Sequence, residues 1–202
     1  CWKMGGQPLA QRLQDKSHSW VDLQKLIPNM ILEGLSGYPF SCPDMIGGGE
    51  WISFLDESIL DQDLIVRSAQ LHALMPMMQF SVAPWRVLDT EHLNAVKAAV
   101  ALRTKFTPLI MQLTQKAAAT GEPIVKCMEY VFPAQGFETV VDQFMLGDNL
   151  LVAPMLEKGK AGRNVKLPAG KWKASDGTVL KGGKTYNLKA ALDQLLYFEK
   201  IN

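Results

Sequence analysis

Two aspartates have the sequence surroundings of a carboxyl group that acts on a bound substrate. Asp15 lies in a polar segment directly before a helical pattern, where its side chain can face a cleft. Asp44 follows the short apolar run 38–42 and precedes the glycine triplet 47–49, which lets a backbone pass close to a ligand. Both positions fit enzymes that place their chemistry at the carboxyl ends of strands. The alternatives are a solvated loop aspartate at 15 and a carboxylate that binds loop amides at 44.

The other reactive residue types form no constellation that a common reaction needs. The histidines are isolated from one another, without metal-ligand spacing, and the apolar surroundings of His72 favour a packed core side chain. No serine stands in a GxSxG elbow, which disfavours a serine hydrolase. Trp2, Trp51 and Trp85 are candidates either for stacking on the apolar face of a sugar or for the core. The sequence therefore predicts no metal ion and no cofactor.

The charge balance disfavours two classes of partner. The 202 residues contain 21 Lys and Arg against 20 Asp and Glu, a net charge of +1, without a basic run. We expect such a chain to bind neither nucleic acid nor an anionic membrane surface. No stretch approaches the roughly 20 apolar residues of a membrane span. Cys1, Cys42 and Cys127 lack paired spacing and predict neither a disulfide framework nor a zinc site.

The first part of the chain alternates helical patterns with short apolar runs. Ser19 precedes an apolar series of helical period, which predicts a capped helix that Pro28 kinks or divides and Gly34 ends. A long helix is expected over 91–119. The rhythm predicts βα units and an α/β fold, but two or three units cannot close a barrel of eight. We therefore predict that residues 1–120 are the C-terminal part of a (β/α)8 barrel; an open three-layer sheet is the alternative.

Residues 121–202 have the texture of an all-β domain. Apolar runs such as 129–132 and 150–155 predict short strands, and turns such as Ser175-Asp-Gly177 separate them. About 80 residues of this pattern fit an antiparallel β-sandwich. The sequence thus predicts an α/β part followed by an all-β domain.

Five specific motifs follow one another along the chain. They are, in order, Trp20-Val-Asp-Leu-Gln-Lys-Leu-Ile-Pro-Asn-Met, Gly37-Tyr-Pro-Phe-Ser-Cys-Pro-Asp44-Met-Ile-Gly-Gly, Leu71-His-Ala-Leu-Met-Pro76, Asp142-Gln-Phe-Met-Leu-Gly-Asp-Asn-Leu-Leu-Val-Ala-Pro154 and Leu167-Pro-Ala-Gly-Lys-Trp172. Together they resemble glycoside hydrolase family 31, and the resemblance covers essentially the whole chain. Its most specific feature is the pair formed by the last two motifs. The resemblance implies a (β/α)8 barrel that hydrolyses α-glycosides with retention, followed by a proximal β-sandwich.

The resemblance also implies a catalytic role for one residue. The family's general acid/base is an Asp five residues before a Trp that opens a helix, and Asp15 precedes Trp20 by that spacing. The nucleophile is an Asp on an earlier strand, which this chain does not contain. Retaining hydrolysis needs two carboxyl groups about 5 Å apart, with the donor protonated near neutral pH. The 202 residues alone are therefore expected to be inactive, and the remainder of the barrel is an expected partner.

This sequence departs from the family pattern around the implied sugar pocket. Arg12 and Gln14 stand where the family usually has an aromatic residue and a Gly before the acid/base. Gln79 and Ser81 replace an Arg and a His that grip sugar hydroxyls, so the sugar is left open among glucose, xylose, galactose and derivatives. The implied substrate is an α-linked oligosaccharide or glycoside. The implied sugar-binding residues are Trp2, Asp44, Trp51, Gln79 and Ser81.

A second interpretation belongs to another functional class. A scaffold that lost turnover would act as a carbohydrate-binding or purely structural remnant. The start at Cys1, without Met or a leader pattern, favours a start inside a longer polypeptide over a mature lipoprotein. Self-association into a homo-oligomer and the cellular compartment are left open by the sequence.

Overall fold

The first half of the chain is built from successive βα units. The computed structural model describes residues 10–49, 51–56 and 59–201. Its elements in this half are β1 (Gln11–Arg12), α1 (Trp20–Leu35), β2 (Ser41–Cys42), a 3-10 helix (Trp51–Phe54), α2 (Gln62–Ala73), a second 3-10 helix (Pro84–Arg86) and α3 (Thr90–Thr120). Strands β1 and β2 run parallel, and a parallel bridge joins Ile46 to Phe80. This alternation of parallel segments and helices confirms the predicted part of a barrel.

Helix α1 begins as the sequence predicts, but Pro28 does not divide it. The Ser19 hydroxyl accepts the Asp22 N–H at 3.2 Å and so caps the first turn. The helix then continues through Pro28 to its end. Leu26 and Ile27 lie in the core at 3% and 0% exposure. Burial of this apolar face outweighs the one backbone hydrogen bond that a proline removes.

The sequence suggested that Gly34 ends α1, but in the structure this glycine has a packing role instead. The helix runs one residue further, and Gly37 at φ +94° turns the chain after it. A Cβ at position 34 would lie 3.1 Å from Pro123 Cβ. The glycine therefore allows α1 to approach the segment that leads into the second half of the chain.

Helix α2 is buried on every face. Its N-cap Asp61 accepts the Leu64 N–H at 3.1 Å, and every residue from 64 to 73 is buried. Among them is Arg67, 5% exposed, whose guanidinium donates to the carbonyls of Ala190 and Ala191 at 2.8 and 2.9 Å. Gln70 donates to the Leu192 carbonyl at 2.6 Å. These bonds attach α2 to the segment 190–194 of the second half.

The second half is an antiparallel β-sandwich, as the sequence predicts. A six-stranded sheet has the order β3-β4-β5-β10-β7-β8, and β6 pairs with β9 in a second sheet. The elements are β3 (Val125–Lys126), α4 (Met128–Val131), β4 (Phe144–Leu146), β5 (Leu150–Ala153), β6 (Gly162–Leu167), β7 (Lys171–Ala174), β8 (Val179–Lys181), β9 (Lys184–Lys189) and β10 (Leu196–Ile201).

One strand prediction is wrong. The run 129–132 forms most of the short helix α4 and its C-cap Phe132. The Glu129 carboxylate accepts the N–H of Ala134 at 2.7 Å and that of Phe137 at 3.3 Å. These local bonds fold the segment back on itself, an alternative to a strand that an apolar pattern does not reveal.

The central strands of the large sheet are buried on both faces. Phe144 and Val152 belong to a core shared with α1 and α3, whereas Met145 and Leu151 belong to the interior of the sandwich with Trp172. Alternate residues of a strand point to opposite faces, so one sheet contributes to two cores. The sheet is therefore the common wall between the barrel part and the sandwich.

Candidate active site

The loops that follow β1 and β2 meet at one edge of the barrel part. Because the two strands are parallel and paired in register, their carboxyl ends lie side by side. Asp15 comes three residues after β1, and Asp44 two residues after β2. The fold thus brings together the two carboxylates that the sequence singles out.

Arg12 joins the two carboxylates. Its Nη1 lies 2.6 Å from Asp15 Oδ1 and is also hydrogen-bonded to Asp44 Oδ1. The hydrogen bond to Asp15 is the main reason that the pKa of Arg12 is raised, with partial burial opposing it and the charges of both carboxylates adding to it. The three side chains differ in exposure: 63% for Asp15, 36% for Arg12 and 1% for Asp44. Only Asp15 offers its carboxylate to solvent.

Asp44 is held rigidly beneath this surface. Its Oδ2 accepts the Lys16 N–H at 2.7 Å, and its backbone adopts φ +83° in the left-handed region. Its carbonyl accepts the Cys42 thiol at 3.3 Å. The carboxylate therefore binds a loop amide, the alternative stated for it above. A direct sugar contact by Asp44 would require Arg12 to move.

His72 packs below Asp44 as a core side chain. It is completely buried, and its Nδ1 lies 2.7 Å from the Ser68 carbonyl while Nε2 lies 3.2 Å from the Asp44 carbonyl. Burial lowers its pKa to about 4, against the opposing effect of these carbonyls and the Asp44 charge. The imidazole is therefore neutral at neutral pH, and its single N–H is assigned to the shorter contact with Ser68.

The glycine triplet allows the two loops to touch. A Cβ on Gly48 would lie 2.7 Å from the Lys16 carbonyl oxygen, and one on Gly49 would lie 2.6 Å from Asp15 Oδ1. The Gly49 N–H donates to the Lys16 carbonyl at 3.0 Å. The sequence predicted close passage of this backbone to a ligand; the structure shows close passage to the neighbouring loop, with Asp15 resting on Gly49.

A second set of contacts holds the loop from its other end. His18 donates from Nδ1 to the Gly47 carbonyl at 2.8 Å and accepts the Asp61 N–H on Nε2 at 2.9 Å. Trp20 donates from Nε1 to Asp61 Oδ2 at 2.9 Å. Burial raises the pKa of Asp61, but the hydrogen bonds from Trp20 and Lys158 outweigh it and lower the pKa. The Trp that follows Asp15 by five residues therefore anchors its loop to the start of α2.

The remaining predicted sugar-binding residues do not share these contacts. Gln79 is exposed and meets the site through its carbonyl, which accepts the Ile46 N–H at 2.8 Å. Ser81 lines a shallow apolar groove next to Trp85, which is 73% exposed. Trp2 and the side chain of Trp51 lie outside the described residues.

The sequence marked Arg12 only as a departure and gave no signal for the bonds that join His18 to Gly47 and Asp61, or Trp20 to Asp61. These three bonds span 29 to 43 residues, beyond any local spacing rule. Within the described ranges, no group of three or more His, Cys, Asp and Glu side chains is arranged to hold a metal ion. At the edge where the loops after β1 and β2 meet, the structure places one exposed carboxylate, Asp15, supported by Arg12.

No helix in the described part of the chain has the length and apolar character needed to cross a membrane.

Comparisons with known proteins give a consistent result across the chain. A family model described as "Glycosyl hydrolases family 31 TIM-barrel domain" matches residues 5–113, and "Glycosyl hydrolase family 31 C-terminal domain" matches residues 121–201. "Myogenesis-regulating glycosidase" of Mus musculus is 36% identical over 198 residues, which cover 93% of this chain and 28% of that protein. "Alpha-glucosidase" of Saccharolobus solfataricus is 33% identical over 168 residues, covering 78% of this chain and 23% of that protein.

A solved structure shares the fold. The GH31 α-xylosidase from a soil metagenome, complexed with xylose, superimposes with a TM-score of 0.81 at 23% identity, covering 94% of this chain and 32% of that one. The chain spans 28% and 26% of the first two curated relatives.

Proposed function

Because the chain belongs to glycoside hydrolase family 31, we propose that it contributes the acid/base half of a retaining α-glycosidase. Asp15 is the general acid/base. The nucleophile is a carboxylate on a barrel strand outside these 202 residues. The observation that carries the proposal is the position of Asp15: at the carboxyl end of a parallel barrel strand, 63% exposed and held by Arg12.

In this mechanism Asp15 acts twice. It first donates a proton to the oxygen of the leaving group while the nucleophile forms a glycosyl-enzyme with the anomeric carbon. It then takes a proton from the water that cleaves this intermediate. Its exposed carboxyl group is accessible to both, and its contact with Gly49 limits where the group can lie.

The proposed substrate is an α-linked oligosaccharide or glycoside. Relatives named as an α-glucosidase and an α-xylosidase suggest glucose and xylose as the first sugars to test. Trp2, Trp51, Gln79 and Ser81 are the proposed sugar-binding residues, whereas Asp44, which is buried and bound by Arg12, contributes from beneath them through Arg12. We assign residues 1–120 to the barrel part and 121–202 to the sandwich that braces it.

One observation favours the second candidate, a non-catalytic carbohydrate-binding or structural role. Of the two carboxylates at this edge, Asp44 is 1% exposed and is bound by Arg12 and the Lys16 N–H. These two residues therefore do not constitute a catalytic pair by themselves, and turnover depends on the second carboxylate coming from elsewhere.

The test compares substrates that differ in their need for an acid. In the full-length polypeptide that carries these residues, α-linked disaccharides require protonation of the leaving group, whereas the corresponding α-glycosyl fluorides do not. Asp15→Ala should lower kcat/KM for the disaccharides by about 10²- to 10⁴-fold. It should leave kcat/KM for the fluorides within a few-fold. The kcat for the fluorides should fall, because hydrolysis of the glycosyl-enzyme lacks its base, and azide should restore it as a nucleophile that needs no base.

Glu138→Gln is the matched control, since Glu138 is an exposed carboxylate of the sandwich. It should change neither substrate class. An equal loss on both classes in Asp15→Ala would contradict the acid/base role. Absence of turnover by the wild-type polypeptide on α-glucosides, α-xylosides and α-galactosides would favour the non-catalytic role.

A further inference from the structure

The contacts of Arg12 make it more than a surface cation. Its Nη1 carries two hydrogens, and the two carboxylates of Asp15 and Asp44 accept from this one nitrogen. The guanidinium is planar and rigid, so the position of one carboxylate restricts that of the other. Arg12 itself is the last residue of β1, which is paired in register with β2.

The two ends of this bridge are unequal. Asp44 is the fixed end, because its side chain is 1% exposed, its second oxygen binds the Lys16 N–H and its carbonyl accepts the Cys42 thiol. Asp15 is the exposed end, and its side chain has open solvent on one side. Without a tether, a carboxylate of this exposure has several rotamers of similar energy.

We propose that Arg12 is the positioning residue of the acid/base: it ties Asp15 to the buried Asp44 and so fixes where the proton is given and taken. This inference rests on the proposed function of Asp15. It adds a chain of support that runs from the core through Asp44 and Arg12 to the reacting group.

A second contact points to the same carboxylate. Asp15 Oδ1, the oxygen that binds Arg12, is also the atom that a Cβ on Gly49 would approach to 2.6 Å. Arg12 therefore holds Asp15 by charge where Gly49 limits it by shape. A shift of about 1 Å in such a group costs on the order of 10²-fold in rate.

The experiment is a double-mutant cycle in the full-length polypeptide, again with α-linked disaccharides and α-glycosyl fluorides. Arg12→Gln should lower kcat/KM for the disaccharides by roughly 10- to 100-fold and leave that for the fluorides within a few-fold. Arg12→Gln/Asp15→Ala should be no slower than Asp15→Ala alone, since the arginine acts through the aspartate.

Arg12→Lys, which keeps the charge, should recover part of the lost disaccharide activity. Arg86→Gln is the matched control, because Arg86 is exposed on the second 3-10 helix. If Arg12→Gln does not fold, Asp44→Asn replaces it: the amide oxygen still accepts an N–H, but the charged anchor is lost. It should give the same dependence on the leaving group.

The outcomes separate the two proposals. If Asp15→Ala shows the leaving-group pattern and Arg12→Gln retains disaccharide activity within twofold, the positioning role is overturned and the acid/base role stands. Strict additivity in the double mutant, or an equal loss on fluorides and disaccharides in Arg12→Gln, also overturns the positioning role. If Asp15→Ala itself lacks the pattern, the acid/base proposal fails first.

Discussion

Replacing Arg67 with methionine should loosen the attachment of the barrel part to the sandwich. Arg67 is buried in α2, and burial lowers its pKa despite the charges of Asp63 and Asp193. Its guanidinium donates to the carbonyls of residues 190, 191 and 194 at 2.8, 2.9 and 3.3 Å and to Gln70 Oε1 at 2.9 Å. Methionine has a similar length but no donor, so these acceptors would lose their bonds to residue 67, although the Ala191 carbonyl would keep the Gln194 N–H at 3.0 Å.

The magnitude follows from these bonds. Each hydrogen bond to a charged group contributes about 1.5–3 kcal/mol, and each buried acceptor left unpaired costs about 1–3 kcal/mol. Removing the buried guanidinium also relieves its own desolvation penalty, which offsets part of the sum. We expect a net loss of roughly 3–5 kcal/mol in the free energy of unfolding, within the range measured for breaking one side of a buried charged interaction.

The assay is urea unfolding of the 202-residue chain, followed by circular dichroism and tryptophan fluorescence. Limited proteolysis should show new cleavage within 190–194 in Arg67→Met, because this segment loses its three bonds to Arg67 and keeps the bond from Gln70 to the Leu192 carbonyl. Arg86→Met is the control, since Arg86 is exposed. A change below about 1 kcal/mol in the free energy of unfolding, with an unaltered denaturant slope, would refute this role of Arg67.

Two further predictions concern the buried His72 and the turn between β8 and β9. The pKa of buried His72, about 4, lies below the usual 6.5, so between these pH values the unfolded chain binds a proton that the folded chain does not. The free energy of unfolding should therefore fall by up to about 3 kcal/mol as the pH drops from 6.5 to 4. In urea unfolding at a series of pH values, His72→Gln should reduce this dependence on pH. His92→Gln is the contrasting variant. Hydrogen bonds to two aspartates outweigh the partial burial of His92 and raise its pKa, so the contribution of His92 to stability is lost as the pH rises. An equal pH dependence of stability in wild type and His72→Gln would contradict the lowered pKa of His72. Gly182→Ala should destabilise the chain by several kcal/mol, since its Cβ would overlap the Pro168 carbonyl oxygen. Gly183→Ala is the matched control: it is strained by φ +80° but has no neighbour within 4 Å, so it should cost only about 1–2 kcal/mol. Similar thermal midpoints for the two variants would contradict this reasoning.

Local patterns predicted much of this fold because local physics decides those parts. The Ser19 cap follows from side-chain chemistry within one turn, and most strands of the sandwich follow from apolar runs between turns. Strands β7 and β9 were not predicted, because their Lys-rich alternation leaves little apolar signal. The helix at 128–131 escaped because the bonds of Glu129 to Ala134 and Phe137 are invisible to periodicity.

The candidate site divides in the same way. The places of Asp15 and Asp44 at strand ends could be predicted, because apolar runs and following polar loops mark those ends. Their connection through Arg12 could not, since 32 residues separate Arg12 from Asp44 and only the parallel register of β1 and β2 brings them together. The burial of Asp44 has the same cause, because it depends on how the loop 13–18 lies across the glycine triplet.

The unequal exposure of the Arg12 bridge has a functional consequence. An exposed ion pair such as that of Arg12 with Asp15 contributes only about 0–1 kcal/mol, because water competes for both partners. Breaking the pair with Asp44 is far more costly, since it would leave a nearly fully buried carboxylate with the Lys16 N–H as its remaining bond. Arg12 therefore stays with Asp44 throughout the reaction. It binds Asp15 through Oδ1, which leaves the other carboxylate oxygen of Asp15 to give a proton to a leaving group or to take one from water. The bridge can thus hold the reacting carboxylate in place during both steps.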